Sequence, residues 1–451
     1  MKPRLKHLWE TLSSSLWFVP TVMTLLALGL AFGSIALDDV TGDTGWAYGG
    51  GPEGAREVLG TIAASMITVA GVAFSVTIVA LTLASQQFGP RLLRNFMRDR
   101  GNQLVLGTFI STFTYCLIVL RSIRSSGSEF VPHISVTFAI LLALASLGVL
   151  IYFIHHAAVS IQAPEVTAMV ANDLDYGIDR LFPEKLGHPS EKNEDKFKEI
   201  ANDFDRQADT IASTKSGYLQ SIDSDQLIKI ATENDLVFRL EYRPGDFVIE
   251  GNDLVKVRPL GRANDELSGQ VRDTFILGNQ RTHMQDVEFS VHQLVEVAVR
   301  ALSPGVNDPF TAITCIDRLG AALCLLVQRS FPSPGRCDVN DQLRVIARPV
   351  TFSGVVDAAF NQIRQYGRSS AAVTVRLLET IVLIGKCAQR QGDRDALLRQ
   401  AVMIERGSHE GLPEERDRQD VQERFRKAVA ALQSSAAIRP DSTSQQSNLR
   451  R

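Results

Sequence analysis

Residues 300 to 320 read RALSPGVNDPFTAITCIDRLG. The stretch gathers side chains that could do chemistry: Asn307, Asp308, Thr311, Thr314, Asp317 and Arg318. Carboxylates, hydroxyls and a guanidinium near a helix start can hold an ion or anchor a second chain. Each also has a local use. Ser303-Pro304-Gly305-Val306 suits a type II turn, Asp308 an N-cap, and Pro309 the first helical position, where its missing N–H costs nothing. Ala312, Ile316, Leu319, Leu323 and Leu326 then repeat as a buried face. A corner between helices accounts for most of this, and the polar groups exceed one cap. Ser303, Pro304, Gly305, Asn307, Asp308, Pro309, Asp317 and Arg318 are therefore the candidate corner, structural or in contact with a second subunit.

Upstream, Glu288, His292, Glu296 and Arg300 recur every four residues, opposite Val287, Val291, Leu294, Val295, Ala298 and Leu302. A histidine between two carboxylates one turn away could bind a metal, but the zinc-helix signature needs two histidines one turn apart. A solvated face of intrahelical pairs is the expectation. No GxxxxGK[ST], HExxH, GxSxG or EF-hand pattern occurs, so no catalytic, cofactor-binding or metal-ligating residue is assigned and no cofactor is expected. Five cysteines without CxxC spacing argue against a disulfide framework or zinc site. A net charge of -3 lacks the basic surface that nucleic acid requires.

The elements that must position these groups follow from where the apolar residues fall. Crossing a bilayer core takes about 20 helical residues. Four runs qualify, at about 16–37, 61–84, 104–120 and 134–156, and no further run follows residue 160. Lys2, Arg4 and Lys6 precede the first. The first loop is acidic, with Asp38, Asp39, Asp43, Glu53 and Glu57. The second holds Arg91, Arg94, Arg98 and Arg100. The third carries Arg121 and Arg124 against Glu129 and dissents. Cytoplasmic loops carry the Lys and Arg excess, so both termini are expected in the cytoplasm. Trp9 and Trp17 suit an interface.

Along the second run, Thr61, Ala64, Thr68, Gly71, Ser75, Ile78, Thr82 and Ser85 occupy steps of three and four, a small or hydroxylated edge broken by Ile78. Such an edge lets helices approach closely in lipid. In an oligomer it could instead wall a pore, with hydroxyls replacing ion hydration and Ile78 as a constriction. Thr68, Gly71, Ser75, Ile78 and Thr82 are therefore the candidate pore or helix-contact residues. No charged residue falls inside these runs, and no broken helix or inverted repeat is evident, which speaks against a pump. His155 and His156 read as interfacial histidines without a ligand.

Residues 1–160 are thus expected to form a four-helix transmembrane domain. A helical linker region (161–216) follows, holding a charged break at HPSEKNEDKFKE, then a small β-module (217–262) with a type II turn at Arg243-Pro244-Gly245-Asp246. A helical cytoplasmic domain (273–432) and a disordered tail (433–451) complete a mixed fold, four membrane helices before a mostly helical α+β region. Three segments carry a resemblance: FGPRLLRNFMRDRGNQLVLGTF, SGYLQSIDSDQL, and RTHMQDVEFSVHQLVEVAVRALSPGVNDPFTAITCIDRLG, which contains Ala-Leu-Ser-Pro-Gly-x-Asn-Asp-Pro-Phe-Thr-Ala. With these the chain resembles a family of predicted bacterial integral membrane proteins bearing a domain of unknown function. The resemblance implies a multi-pass protein of the bacterial inner membrane and no activity. Expected partners are the lipid bilayer, further copies of the chain as a homo-oligomer, and a cytoplasmic protein. The leading expectation is an ion-conducting or gated pore with a cytoplasmic regulatory region, the alternative a non-conducting scaffold or signalling protein.

Overall fold

The computed structural model describes residues 15–41, 47–92, 96–97, 99–125, 130–183, 204 and 208–434. Trp9, Arg94, Arg98, the charged break at 188–199 and residues 435–451 of the expected tail lie outside the described residues. The chain divides into two compact units, Met1–Val166 and Thr167–Arg451.

The first unit holds four long helices: α1 (Phe18–Thr41), α2 (Pro52–Phe88), α3 (Arg100–Ser122) and α4 (His133–Ser160). The central one is α3, which packs against the other three. Its buried Val105, Phe109, Thr112, Cys116 and Val119 alternate steps of four and three, the seam of a helix packed at a shallow angle. The face of α2 turned inward is mostly alanine, with Ala55, Ala63, Ala70, Ala73 and Ala84 buried. Small side chains let backbones approach where lipid offers no hydrophobic drive between helices. Gly107 does the same for α3, since a Cβ there would lie 2.5 Å from Met23 Sδ and 3.3 Å from Pro20 Cα.

In the second unit, which begins inside α5 (Ala163–Leu181), two sheets form. The strands are β1 (Asp209–Ala212), β2 (Gly217–Ile222), β3 (Val237–Leu240), β4 (Phe247–Val248), β5 (Asp253–Arg258), β6 (Phe275–Gly278), β7 (Gly335–Cys337) and β8 (Leu343–Ile346). One sheet runs β1-β5-β3-β8-β7 and the other β4-β2-β6. Leu219, Phe238, Val248, Val255 and Val257 are fully buried between them and α6 (Ser224–Glu233). The turn at Arg243–Asp246 is as predicted: Gly245 takes φ of 99° and the Asp246 N–H reaches the Arg243 carbonyl at 3.1 Å.

The β structure reaches further than the sequence suggests, because β1 falls within the linker at 161–216 and β6, β7 and β8 within 273–432, both of which read as helix. Strands of three or four residues are too short for a period of two to register. Their partners come from elsewhere in the chain, as when Phe238 of β3 stands opposite Val345 of β8 in a parallel pair. Helices fill the remainder: α7 (Asp265–Arg272), α8 (Val287–Ala301), α9 (Pro309–Leu326), α10 (Phe352–Gly367), α11 (Ala371–Cys387), α12 (Gln391–Gly411) and α13 (Glu415–Ser434).

The expectation that no apolar run recurs after residue 160 is corrected by α9. Among the described residues five helices are long and apolar enough to cross a membrane, α1 to α4 and α9. Packing supplies the reason for the fifth. The neighbours of α9 are α8, α10 and α11, so a wide sector must be apolar, with Ala312, Cys315, Ile316, Leu319, Ala322, Leu323 and Leu326 buried. Gly320 faces α11 closely enough that a Cβ would lie 2.4 Å from Thr380 Cγ2.

Candidate functional site

The corner between α8 and α9 uses its polar groups locally. Asp308 accepts from the Thr311 N–H at 3.1 Å and the Thr311 hydroxyl at 2.5 Å, and these bonds hold its carboxyl below the ordinary carboxylate range. Pro309 opens α9. The Thr314 hydroxyl donates to the Phe310 carbonyl at 3.0 Å. Asp317 meets Arg376 of α11 at 2.5 Å, while Arg318 is exposed and its charge acts on Asp175 of α5. The type II turn does not form at Ser303-Pro304-Gly305-Val306. The left-handed residue is Asn307, with φ of 48°, which an asparagine tolerates better than most residues. Pro304, Gly305 and Asn307 are exposed beside an uncovered apolar pair, Val306 at 48% exposure and Phe310 at 78%.

The face of α8 bearing Glu288, His292 and Glu296 is not solvated, because the turn at Arg243–Asp246 covers its start. Arg243 Nη2 contacts both Glu288 oxygens at 2.9 Å. Asp286 caps α8 through the Phe289 N–H and pairs with Arg281, whose Nη1 also lies 3.0 Å from His292 Nδ1. Burial pushes the Asp286 carboxyl up to about 6 in spite of Arg281. Gly245 is required at this junction, since a Cβ would lie 2.3 Å from Asp286 Oδ2. Arg281 carries no periodic signal, so sequence reasoning missed this network. Among the described residues no group of three or more His, Cys, Asp or Glu is placed for a metal. Sequence spacing also concealed that the Cys324 and Cys387 thiols lie within hydrogen-bonding reach of each other.

Thr68, Gly71, Ser75, Ile78 and Thr82 all lie exposed on α2. Among the described residues the buried face of α2 is the alanine one and not this stripe. The hydroxyls of Thr68, Ser75 and Thr82 donate to the carbonyls of Ala64, Gly71 and Ile78 at 2.8, 2.9 and 2.9 Å. Each donor is thereby spent inside the helix, leaving the oxygen lone pairs available.

Two polar clusters bind the first unit together. Asp38, buried near the end of α1, accepts from the N–H groups of Ile134 and Ser135 at 2.7 and 2.9 Å and from the Ser135 hydroxyl at 2.6 Å. It thus places a carboxylate on the N-terminus of α4, where the helix dipole favours an anion. Ser34 and Tyr115 extend the network, their hydroxyl oxygens 2.9 Å apart. Beyond the α3 N-terminus, Asp99 caps Gly101 at 2.9 Å and meets His156 Nε2 at 2.5 Å. His156 also stacks on Tyr152, so the histidine read as interfacial is held by Asp99 and by a ring contact.

The family model described as "Predicted membrane protein (DUF2254)" matches residues 13–382. The chain belongs to the DUF2254 family. Its match takes in all four helices of the first unit and ends within α11, leaving α12 and α13 beyond it. The chain is similar to uncharacterized protein Mb1321c of Mycobacterium bovis, 31% identical over 427 residues that cover 93% of this chain and 81% of that protein. Uncharacterized protein Rv1290c of Mycobacterium tuberculosis matches with the same identity and coverage. No solved structure matches. This DUF2254 protein is a predicted membrane protein.

Proposed function

We propose that this DUF2254 protein is an oligomeric, gated pore of the bacterial inner membrane, spanning it with α1 to α4 and carrying both termini and the second unit in the cytoplasm. One observation carries the reading. The stripe of Thr68, Gly71, Ser75, Ile78 and Thr82 is uncovered on the single chain, where residues shared between copies must be. Back-bonding spends the hydroxyl donors and leaves acceptors, so the edge suits a cation that sheds part of its hydration. Ile78 supplies an apolar constriction among them. The charge distribution of the loops supports the orientation. Assigning α9 to the second unit rests on Asp317 and Arg318 at its middle and on its packing against α8 and α11. Cation flux from liposomes, reduced by Ser75→Leu at unchanged oligomeric mass, tests the reading.

A second reading, a non-conducting scaffold that binds a cytoplasmic protein, draws on the uncovered Val306 and Phe310. Asp308 and Asp317 are engaged within the chain, so Phe310→Ser is the informative variant. On this reading it releases a co-purifying partner and leaves permeability unchanged.

A further inference from the structure

A cavity of about 260 Å³ lies in the second unit, among α5, α6, β3, β8 and the start of α8. Its walls are mainly apolar, including Phe182, Leu227, Ile228 and Val345, and two guanidiniums, Arg336 and Arg348, border it. Neither arginine pairs with a carboxylate among the described residues. Arg336 bonds through Nη1 to the carbonyls of Ser333 and Gly335, and Arg348 through Nη1 to the carbonyl of Glu241. Each therefore keeps its Nε–Nη2 edge, the two parallel donors that match a carboxylate. Burial lowers the Arg336 pKa, as expected of a cation drawn out of water with no carboxylate partner among the described residues.

An apolar chamber beside two guanidinium edges that meet no carboxylate among the described residues points to a ligand with an apolar body and one anionic head. We propose that this cavity binds a small amphipathic monocarboxylate, its tail against Leu227, Ile228 and Val345 and its carboxylate on Arg336, with Arg348 at the rim. The volume holds about nine waters at their liquid share, so a chain of roughly eight carbons is the expected size. A dianion is disfavoured because a second charge would be desolvated beside apolar walls. The site stands apart from the pore reading and does not depend on it.

The test is equilibrium dialysis of radiolabelled octanoate against the full chain in lipid nanodiscs, with empty nanodiscs subtracted. The proposal expects one saturable site per chain. Losing a charge-assisted bidentate contact in Arg336→Gln weakens it by about tenfold or more. Ile228→Phe, which fills the chamber and leaves both arginines in place, also weakens it, and octylamine fails to compete. Binding no greater than to empty nanodiscs overturns the proposal, as does unchanged affinity in both variants or competition by octylamine equal to that of octanoate.

Discussion

Arg243 reaches both oxygens of Glu288 at 2.9 Å and so ties the tip of a β-turn to the first turn of α8. Glu288 is the more buried partner, with its side chain 11% exposed against 29% for the arginine. Removing either side should therefore cost unequal amounts. Arg243→Ala strands the buried carboxylate and is expected to destabilise the second unit by about 2 to 3 kcal/mol. Glu288→Gln should cost less. Chemical unfolding of the two single variants and the double variant checks this, and additive effects would mean the pair is not coupled.

Asp286 predicts a pH dependence. Its folded pKa of about 6 stands above the unfolded value. A raised carboxyl contributes stability that is complete below the unfolded pKa, about 4, and lost as pH rises through the folded one. Asp286→Asn can still cap α8 but does not titrate. Wild-type stability relative to Asp286→Asn should fall between about pH 4 and pH 6, by about 3 kcal/mol at most. Hydrogen exchange of the α8 amides in both proteins at each pH measures the difference, and a flat difference contradicts the assignment.

Asp38 should matter to the first unit out of proportion to its place at a helix end. It receives three hydrogen bonds from Ile134 and Ser135. Asp38→Ala leaves two buried N–H groups without that acceptor and is expected to cost about 2 to 3 kcal/mol, with Asp38→Asn recovering part of it. Thermal unfolding in detergent distinguishes them. Equal melting temperatures for all three proteins would show that the carboxylate does not hold α4 to α1.

These contacts show what the sequence makes legible. The four apolar runs appear as α1 to α4, and Asp308, Pro309 and Gly245 act as the local rules of caps and turns require. Local rules fail where the decisive partner is distant. Nothing near Glu288 announces Arg243, nothing near Asp38 announces Ser135, and the strand at 343–346 forms because β3 offers it an edge. The stripe on α2 is legible as a pattern, but its direction is not: alanines and hydroxylated residues both satisfy the small-residue rule, and the packing of α3 selects the alanines. Arg336 and Arg348 give no pattern at all, because only the folded cavity brings them to one place.

On the proposed function, copies of α2 line a conducting path with the edge at Ser75. The direct measurement is cation flux from liposomes holding the purified wild-type protein, compared with Ser75→Leu protein of the same oligomeric mass. Flux from the first and a large loss in the second are expected, because leucine removes an acceptor oxygen and narrows the edge beside Ile78. Equal flux from both proteins, or none from either across several cations and under membrane tension, would contradict it.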